Sequence, residues 1–343
     1  MTTSHTQMRR EVLEIPAAAD RLLLKGGDDI RRAADAIRAR DPQFMVSVAR
    51  GSSDHVATYL KYASELLKGT PIASIGPSIA SIYNRKLNLD GSVCLSVSQS
   101  GKSPDIVEMT RLAGEGGALT LAMTNYSDSP LAQIADYTLN LHAGPEISVA
   151  ATKTFVNSAI VGIWLIAEWA EDDSLRKAVF DLPSLLERAV QLDWPEARAA
   201  LGGRNSIFCL GRGPSSAISN EAALKFKETC QIHAESYSSA EVLHGPVSIV
   251  DSGFPVIGLT AQDEAETALA NVADEIASKG ATVFATSDKV NTATRLPVTR
   301  TGHPLTDPIP LIVSFYSMVE RIAAARGINP DAPRHLKKVT ETV

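Results

Sequence analysis

Short apolar runs alternate with amphipathic stretches from one end of the chain to the other. Phe44–Ala49, Ile72–Ile75, Ser92–Ser98, Leu119–Met123 and Tyr137–Leu141 are brief and rich in β-branched residues. That pattern predicts strands of a parallel sheet covered by helices. Helices are predicted over Asp54–Lys68, Pro104–Glu115, Pro130–Ala135 and Thr152–Glu171. The same alternation then returns, with strands expected at Ser206–Leu210, Val247–Ile249, Pro255–Leu259 and Thr282–Thr286. Helices are expected there at Ser216–Cys230, Ala265–Lys279 and Pro308–Arg326. A leading helix over Met8–Gly26 and a tail beyond Gly327 complete the pattern.

The two halves match at one offset. Phe44–Ala49 runs into Arg50-Gly51-Ser52-Ser53; about 162 residues later Ser206–Leu210 runs into Gly211-Arg212-Gly213-Pro214-Ser215. The same shift lays Val93–Ser98 on Pro255–Thr260. Duplication of a single α/β domain type is the expectation, with the charged, proline-containing stretch Asp181–Gly203 as the connection.

Composition narrows the function classes. With 343 residues, 44% hydrophobic and 21% charged, the chain holds enough apolar material for two cores and is not disordered. The longest apolar run, Ile160–Ala170, contains Glu168 and falls short of the roughly 18 residues a bilayer crossing needs. Met1–Glu14 is polar, so no signal peptide is expected, the cytoplasm is the expected compartment and no membrane partner is implied. A net charge of −6 argues against a nucleic-acid partner. Cys94, Cys209 and Cys230 show no CxxC spacing, and the seven histidines show neither HxH nor HExxH. Neither a disulfide framework nor a metal site is expected.

Three segments carry candidate chemistry. Ser98-Gln99-Ser100-Gly101-Lys102-Ser103-Pro104 follows a strand and opens a helix, an arrangement that aims backbone N–H groups and the helix dipole at an anion. The same segment also reads as a capped helix start without a ligand. It lacks the GxxxxGK[ST] spacing of a nucleotide loop. Gly51-Ser52-Ser53 ends a neighbouring strand, where ligands of open α/β sheets collect. Second, Glu221, Lys225 and Glu228 share one helix face. They read either as a solvated ion-pair row or, given Ala222, Ala223, Leu224 and Phe226 between them, as a partly enclosed constellation. Third, His233-Ala234-Glu235 and Glu241-Val242-Leu243-His244-Gly245-Pro246 bracket a polar loop. His244 reads as a titrating group or as a histidine bonded to backbone. The basic tail Pro333–Lys338 reads as solvated or as folding over an anionic ligand.

Taken together, these segments resemble the sugar-isomerase (SIS) family, and within it the isomerase half of glutamine–fructose-6-phosphate aminotransferase. The resemblance covers nearly the whole chain, from Met8–Pro16 to Pro333–Lys338. It rests on Ser98–Gly101, Gly144-Pro145-Glu146 with Ala151-Thr152-Lys153, Glu221–Glu228, His233–Glu235 and His244–Pro246. It implies two tandem SIS domains, each a doubly wound, flavodoxin-like parallel sheet flanked by helices. The expected layout is a linker helix over 1–36, a first SIS domain over 37–180, a connector over 181–204, a second SIS domain over 205–328 and a tail over 329–343.

The resemblance also assigns roles. Phosphate falls to Ser98, Gln99, Ser100 and Ser103 with Ser52 and Ser53, and backbone groups of Val149 and Ala151 line the sugar. Glu228 matches the base that moves a proton between C1 and C2, and His244 the ring-opening histidine. Lys225 matches a lysine near that base, and Lys338 a tail lysine that forms a Schiff base with the ketose. No metal or organic cofactor is implied, and sites shared within a homodimer are.

The chain departs from the synthase pattern at Arg50, which replaces a cysteine and brings a cation near the sugar. Ser52 and Ser103 replace threonines, keeping the hydroxyl, and Ala151 replaces a serine. No glutaminase domain is recognised, and Thr2 follows the initiator Met where that domain has its nucleophilic cysteine. The expected activity is deamination of glucosamine 6-phosphate to fructose 6-phosphate and ammonia. The alternatives are a synthase using ammonia or a separate glutaminase partner, an enzyme acting on a fructosamine phosphate, and a phosphosugar-binding regulator without turnover.

Overall fold

A computed structural model describes residues 6–338; Thr2 and positions 339–343 of the expected tail lie outside them. The chain divides into two compact units. The first unit draws on Ala17–Glu146, Lys153–Phe180 and the described part of Lys337–Val343. The second draws on the described part of Met1–Pro16, Ile147–Thr152 and Asp181–Leu336.

Five strands form the sheet of the first unit: Met45–Val48 (β1), Ile72–Ser74 (β2), Val93–Val97 (β3), Leu119–Thr124 (β4) and Tyr137–Asn140 (β5). All pair in parallel, in the order β2-β1-β3-β4-β5. Every residue of β1 and β3 is buried, as expected where helices cover both faces of a parallel sheet. Val46, Val48, Cys94, Ala122, Ile106, Met109 and Leu131 make the core on one face.

The chain's first three helices are Gln7–Leu13 (α1), Ile15–Lys25 (α2) and Gly27–Arg40 (α3). The leading helix expected over Met8–Gly26 is therefore broken once, at Glu14 ahead of Pro16, which cannot donate an N–H; α3 follows beyond Gly26. Ser52–Lys68 (α4), Ser78–Ser81 (α5), Pro104–Glu115 (α6), Pro130–Ile134 (α7), Lys153–Ala170 (α8) and Asp173–Phe180 (α9) follow. The nearly all-buried α8 packs on α3 and α4. That approach is close enough that a Cβ at Gly162 would lie 2.5 Å from Leu60 Cδ2.

In the second unit the strands are Ser206–Gly211 (β6), His233–Ser238 (β7), Pro255–Gly258 (β8), Thr282–Ala285 (β9) and Thr294–Arg295 (β10). Their order, β10-β9-β8-β6-β7, repeats the topology of the first sheet. The helices are Leu182–Ala189 (α10), Pro195–Leu201 (α11), Ser215–Cys230 (α12), Glu266–Ser278 (α13) and Pro308–Ala325 (α14). Phe208, edge-on to both Tyr237 and Phe254, centres a core with Leu210, Val256 and Val283. By length and composition α14 could cross a membrane, with a mean hydropathy of 1.2. It is nonetheless 83% buried, packed on α1, α10, α11 and α12 as a core helix.

Two local expectations are corrected. Val247–Ile249 is not a strand; Pro246–Ile249 forms a 3₁₀ turn after Gly245. The sheet position is filled instead by His233–Ser238, expected as helix-to-loop connection, whose polar sequence suits the sheet edge it occupies.

Candidate active site

In each sheet the connections run one way from the first strand and the other way from the third, which leaves a crevice at the carboxyl ends of that central pair. In the first unit the pair is β1 and β3, with Val48 level with Ser96. β3 ends into Ser98–Ser103 and α6; β1 ends into Arg50-Gly51 and α4. Two helix N-termini thus flank one sheet edge, and dipoles of both favour an anion there. The structure brings Ser52, Ser53, Ser98, Gln99, Ser100 and Ser103 to this edge.

The loop is folded around its own hydroxyls. Gly101 N–H donates to Ser98 Oγ at 3.2 Å and Lys102 N–H to Ser100 Oγ at 3.3 Å. A serine that accepts an N–H keeps its O–H to donate to a ligand. Ser103 is the residue before α6, yet its side chain makes no capping hydrogen bond. The back of the loop is pinned, since Gln99 C=O accepts from Asn125 N–H at 3.1 Å and Thr124 O–H at 3.3 Å. Only glycine fits at 101: φ is +61°, and a Cβ would lie 2.6 Å from Ser129 Cβ. Arg50 is not a free cation beside this loop. Its Nε lies 2.5 Å from Oδ2 of Asp105, a buried carboxylate in the first turn of α6.

The second unit holds the other constellation. On α12, Lys225 Nζ is 2.6 Å from Glu228 Oε2 and 3.3 Å from Glu221 Oε1. Tyr316 of α14 donates to Glu221 Oε1 at 3.0 Å. Glu221 and Lys225 have no solvent exposure, whereas the Glu228 side chain keeps 21%. The solvated-row reading fails on those numbers. Burial alone pulls the Lys225 pKa down, but Glu221 and Glu228 more than reverse it, so the group stands above the ordinary lysine value. The arrangement presents one reachable carboxylate backed by a fixed ammonium.

His244, itself exposed, closes the 3₁₀ turn Glu241–His244 and is not brought to Lys225 or Glu228 by any hydrogen bond in the structure. Glu235, on β7, accepts from Tyr237 OH at 2.8 Å. Val149 and Ala151 lie in the half-buried stretch Ile147–Thr152, which buried Glu11 holds by accepting the N–H groups of Ile147 and Ser148. Val149 N–H donates to Asp331 C=O at 3.3 Å.

Lys338 is placed in the first unit by Glu146. That buried carboxylate accepts from Lys338 Nζ at 2.8 Å, Thr154 N–H at 3.1 Å and Thr154 Oγ1 at 2.6 Å. It therefore caps α8 and seats the tail lysine together. Glu146 appeared in the sequence only as part of a motif, and Asp105 not as a site residue. For Asp105 the readable signal was an acid in the first turn of a helix; Glu146, seven residues ahead of α8, gave none.

The corresponding crevice of the second unit is filled from within. Arg300 Nη1 lies 3.0 Å from both Thr260 C=O and Asp307 Oδ2. Gln262 N–H donates to Asp307 at 2.9 Å and Ala261 N–H to Ser215 Oγ at 3.0 Å. Arg300 and the N–H groups of Ala261 and Gln262 are thus already engaged within the unit.

Comparison with known proteins bears on the family and the fold. The SIS domain family model matches residues 41–167 and 201–320, well over half of the chain. A glutamine–fructose-6-phosphate aminotransferase (isomerizing) of Thermococcus kodakarensis is 31% identical over 347 aligned positions, covering 96% of this chain and 57% of that protein. The chain spans about half the length of the curated relatives it matches. Among solved structures, a Silicibacter pomeroyi DSS-3 protein provisionally named a phosphosugar isomerase superposes with a TM-score of 0.93 and 63% identity. It covers 95% of this chain and 100% of its own. The C-terminal domain of glucosamine-fructose-6-phosphate aminotransferase from Francisella tularensis superposes with a TM-score of 0.85 and 25% identity, covering 96% and 99% respectively.

Proposed function

The chain belongs to the SIS-domain family, and on that premise we propose that it is an amino-sugar-phosphate isomerase and deaminase. Its substrate is glucosamine 6-phosphate, and its products are fructose 6-phosphate and ammonia. The phosphate is taken by Ser98, Gln99, Ser100 and Ser103 with Ser52 and Ser53. The observation that carries the reading is Glu228, a partly exposed carboxylate at the end of a buried Glu221–Lys225–Glu228 row.

His244, contributed by a second copy of the chain, relays a proton between the ring oxygen and the anomeric hydroxyl and opens the ring. Glu228 removes the C2 proton, acidified by the C1 aldehyde, and returns it to C1. The charge that develops on oxygen is met by the Lys225 ammonium, and Lys338 holds the open chain. The resulting 2-imino sugar adds water at C2 and expels ammonia, giving the ketose. Each step moves only protons, water or ammonia, so neither metal nor organic cofactor is called for. Backbone groups of Val149 and Ala151 line the sugar. The reaction belongs in the cytoplasm.

Purified chain incubated with glucosamine 6-phosphate, and no glutamine, is expected to release ammonia and fructose 6-phosphate in equal amounts. Glu228→Gln should lower turnover at least about 100-fold and stop exchange of the C2 proton with solvent. The identity to aminotransferases favours a second reading, synthesis of the amino sugar. Glutamine-dependent formation of glucosamine 6-phosphate from fructose 6-phosphate would establish that reading and overturn the first.

A further inference from the structure

We propose that Arg50 sets the charge of the phosphate cradle by neutralising Asp105, and so decides whether the loop accepts a doubly charged group. The inference rests on the reading of Ser98–Ser103 as that cradle. Asp105 stands in the first turn of α6 and is 1% exposed. Its Oδ1 accepts from Ile106 N–H at 2.9 Å. A carboxylate so placed already occupies the favourable end of the helix dipole and repels a second anion brought to the same N-terminus. Such a buried charge also needs a partner of its own.

Arg50 supplies that partner from the other side of the crevice. It leaves β1, Asp105 follows β3, and their contact spans the two loops at the sheet edge. The Arg50 side chain remains 47% exposed while the Asp105 side chain has none, so the guanidinium covers the buried carboxylate and still meets solvent. Arginine keeps its charge at any working pH, and its planar fork bonds one anion while offering donors elsewhere. With the pair intact the helix end presents no net negative charge. With Arg50 removed it presents a buried anion at the place where phosphate must enter.

The two charges therefore have opposite effects, which a plain structural clamp does not predict. Glucitol 6-phosphate is a suitable probe because it is open-chain and cannot isomerise, and glucitol is its uncharged control. Both are titrated calorimetrically. Arg50→Ala is expected to weaken glucitol 6-phosphate about 30-fold, with little change for glucitol. Asp105→Asn alone should bind the phosphate at least as tightly as the parent, and Arg50→Ala/Asp105→Asn should return to within about 5-fold of it. Arg50→Lys, which keeps the charge, is expected within about 10-fold of the parent and carries the test should Arg50→Ala fail to fold. Loss of binding in Asp105→Asn equal to that in Arg50→Ala, or a double variant as weak as Arg50→Ala, overturns the inference and leaves the cradle standing. A parent chain that binds glucitol and its phosphate equally removes the cradle, and the inference with it.

Discussion

Lys225 keeps its charge without solvent because two carboxylates are within 3.3 Å. Its position fixes the Glu228 carboxylate at one end and balances Glu221 at the other. Replacement by methionine would leave two facing acids with no cation in a buried site. Removing one partner of a buried pair costs about 3–5 kcal/mol, and that loss is expected for Lys225→Met in urea unfolding. A loss under about 1 kcal/mol would show that the row is solvated after all. At this scale the sequence was informative in part. The spacing of Glu221, Lys225 and Glu228 put them on one face, but their burial depends on α14, about 90 residues away. Asp105 and Glu146 stayed hidden for the same reason: their partners Arg50 and Lys338 are distant in the chain.

At the level of single elements, buried strands were the most legible feature. β1, β3, β6 and β8 are short, mostly apolar runs, and each was found within two residues of its observed span. Elements at the margins were not. β7 is polar because one of its edges has no neighbouring strand, and the Gly245-Pro246 step turns a β-like run into a 3₁₀ turn. The legible elements also carry the thiols: Cys94 lies in β3, Cys209 in β6 and Cys230 at the end of α12. Burial pushes Cys94 up to about 12 and Cys230 up to about 11, and raises Cys209 as well. A raised pKa means the fold holds the proton more tightly than the unfolded chain does. The associated stability is complete below pH 9.0, the ordinary thiol value here, and is lost as pH climbs toward the shifted values. Unfolding midpoints in urea should therefore drop between pH 8 and pH 10.5. Alkylation of all three thiols should await unfolding; rapid labelling of native protein would contradict this.

Across the whole molecule, one topology has been used twice and specialised once. Both sheets carry the same strand order, yet the first keeps its hydroxyl-lined crevice whereas Arg300 and Asp307 fill that of the second. The repeat was visible in sequence because strand-to-turn junctions such as Arg50–Ser53 and Gly211–Ser215 keep their spacing. The filling was not, since Arg300 lies outside the matched segments. His244, exposed and with no hydrogen bond to Lys225 or Glu228, suits the proposed role of serving a neighbour's substrate. Mixing inactive His244→Ala with inactive Glu228→Gln chains should then restore part of the activity, as hybrid pairs contain one intact set. No recovery after subunit exchange would tie His244 to its own chain or to no catalytic part. The docking of α1 on α14 has a further consequence, for the order in which a nascent chain matures. Thr6 bonds Glu320 at 2.7 Å across 314 residues, and Lys338 reaches Glu146 across 192. At roughly 5–20 residues per second, a ribosome needs tens of seconds to connect the first pair. α1 must wait that long for α14 to cover its apolar face, and neither unit is finished until α14 and Lys338 have left the exit tunnel.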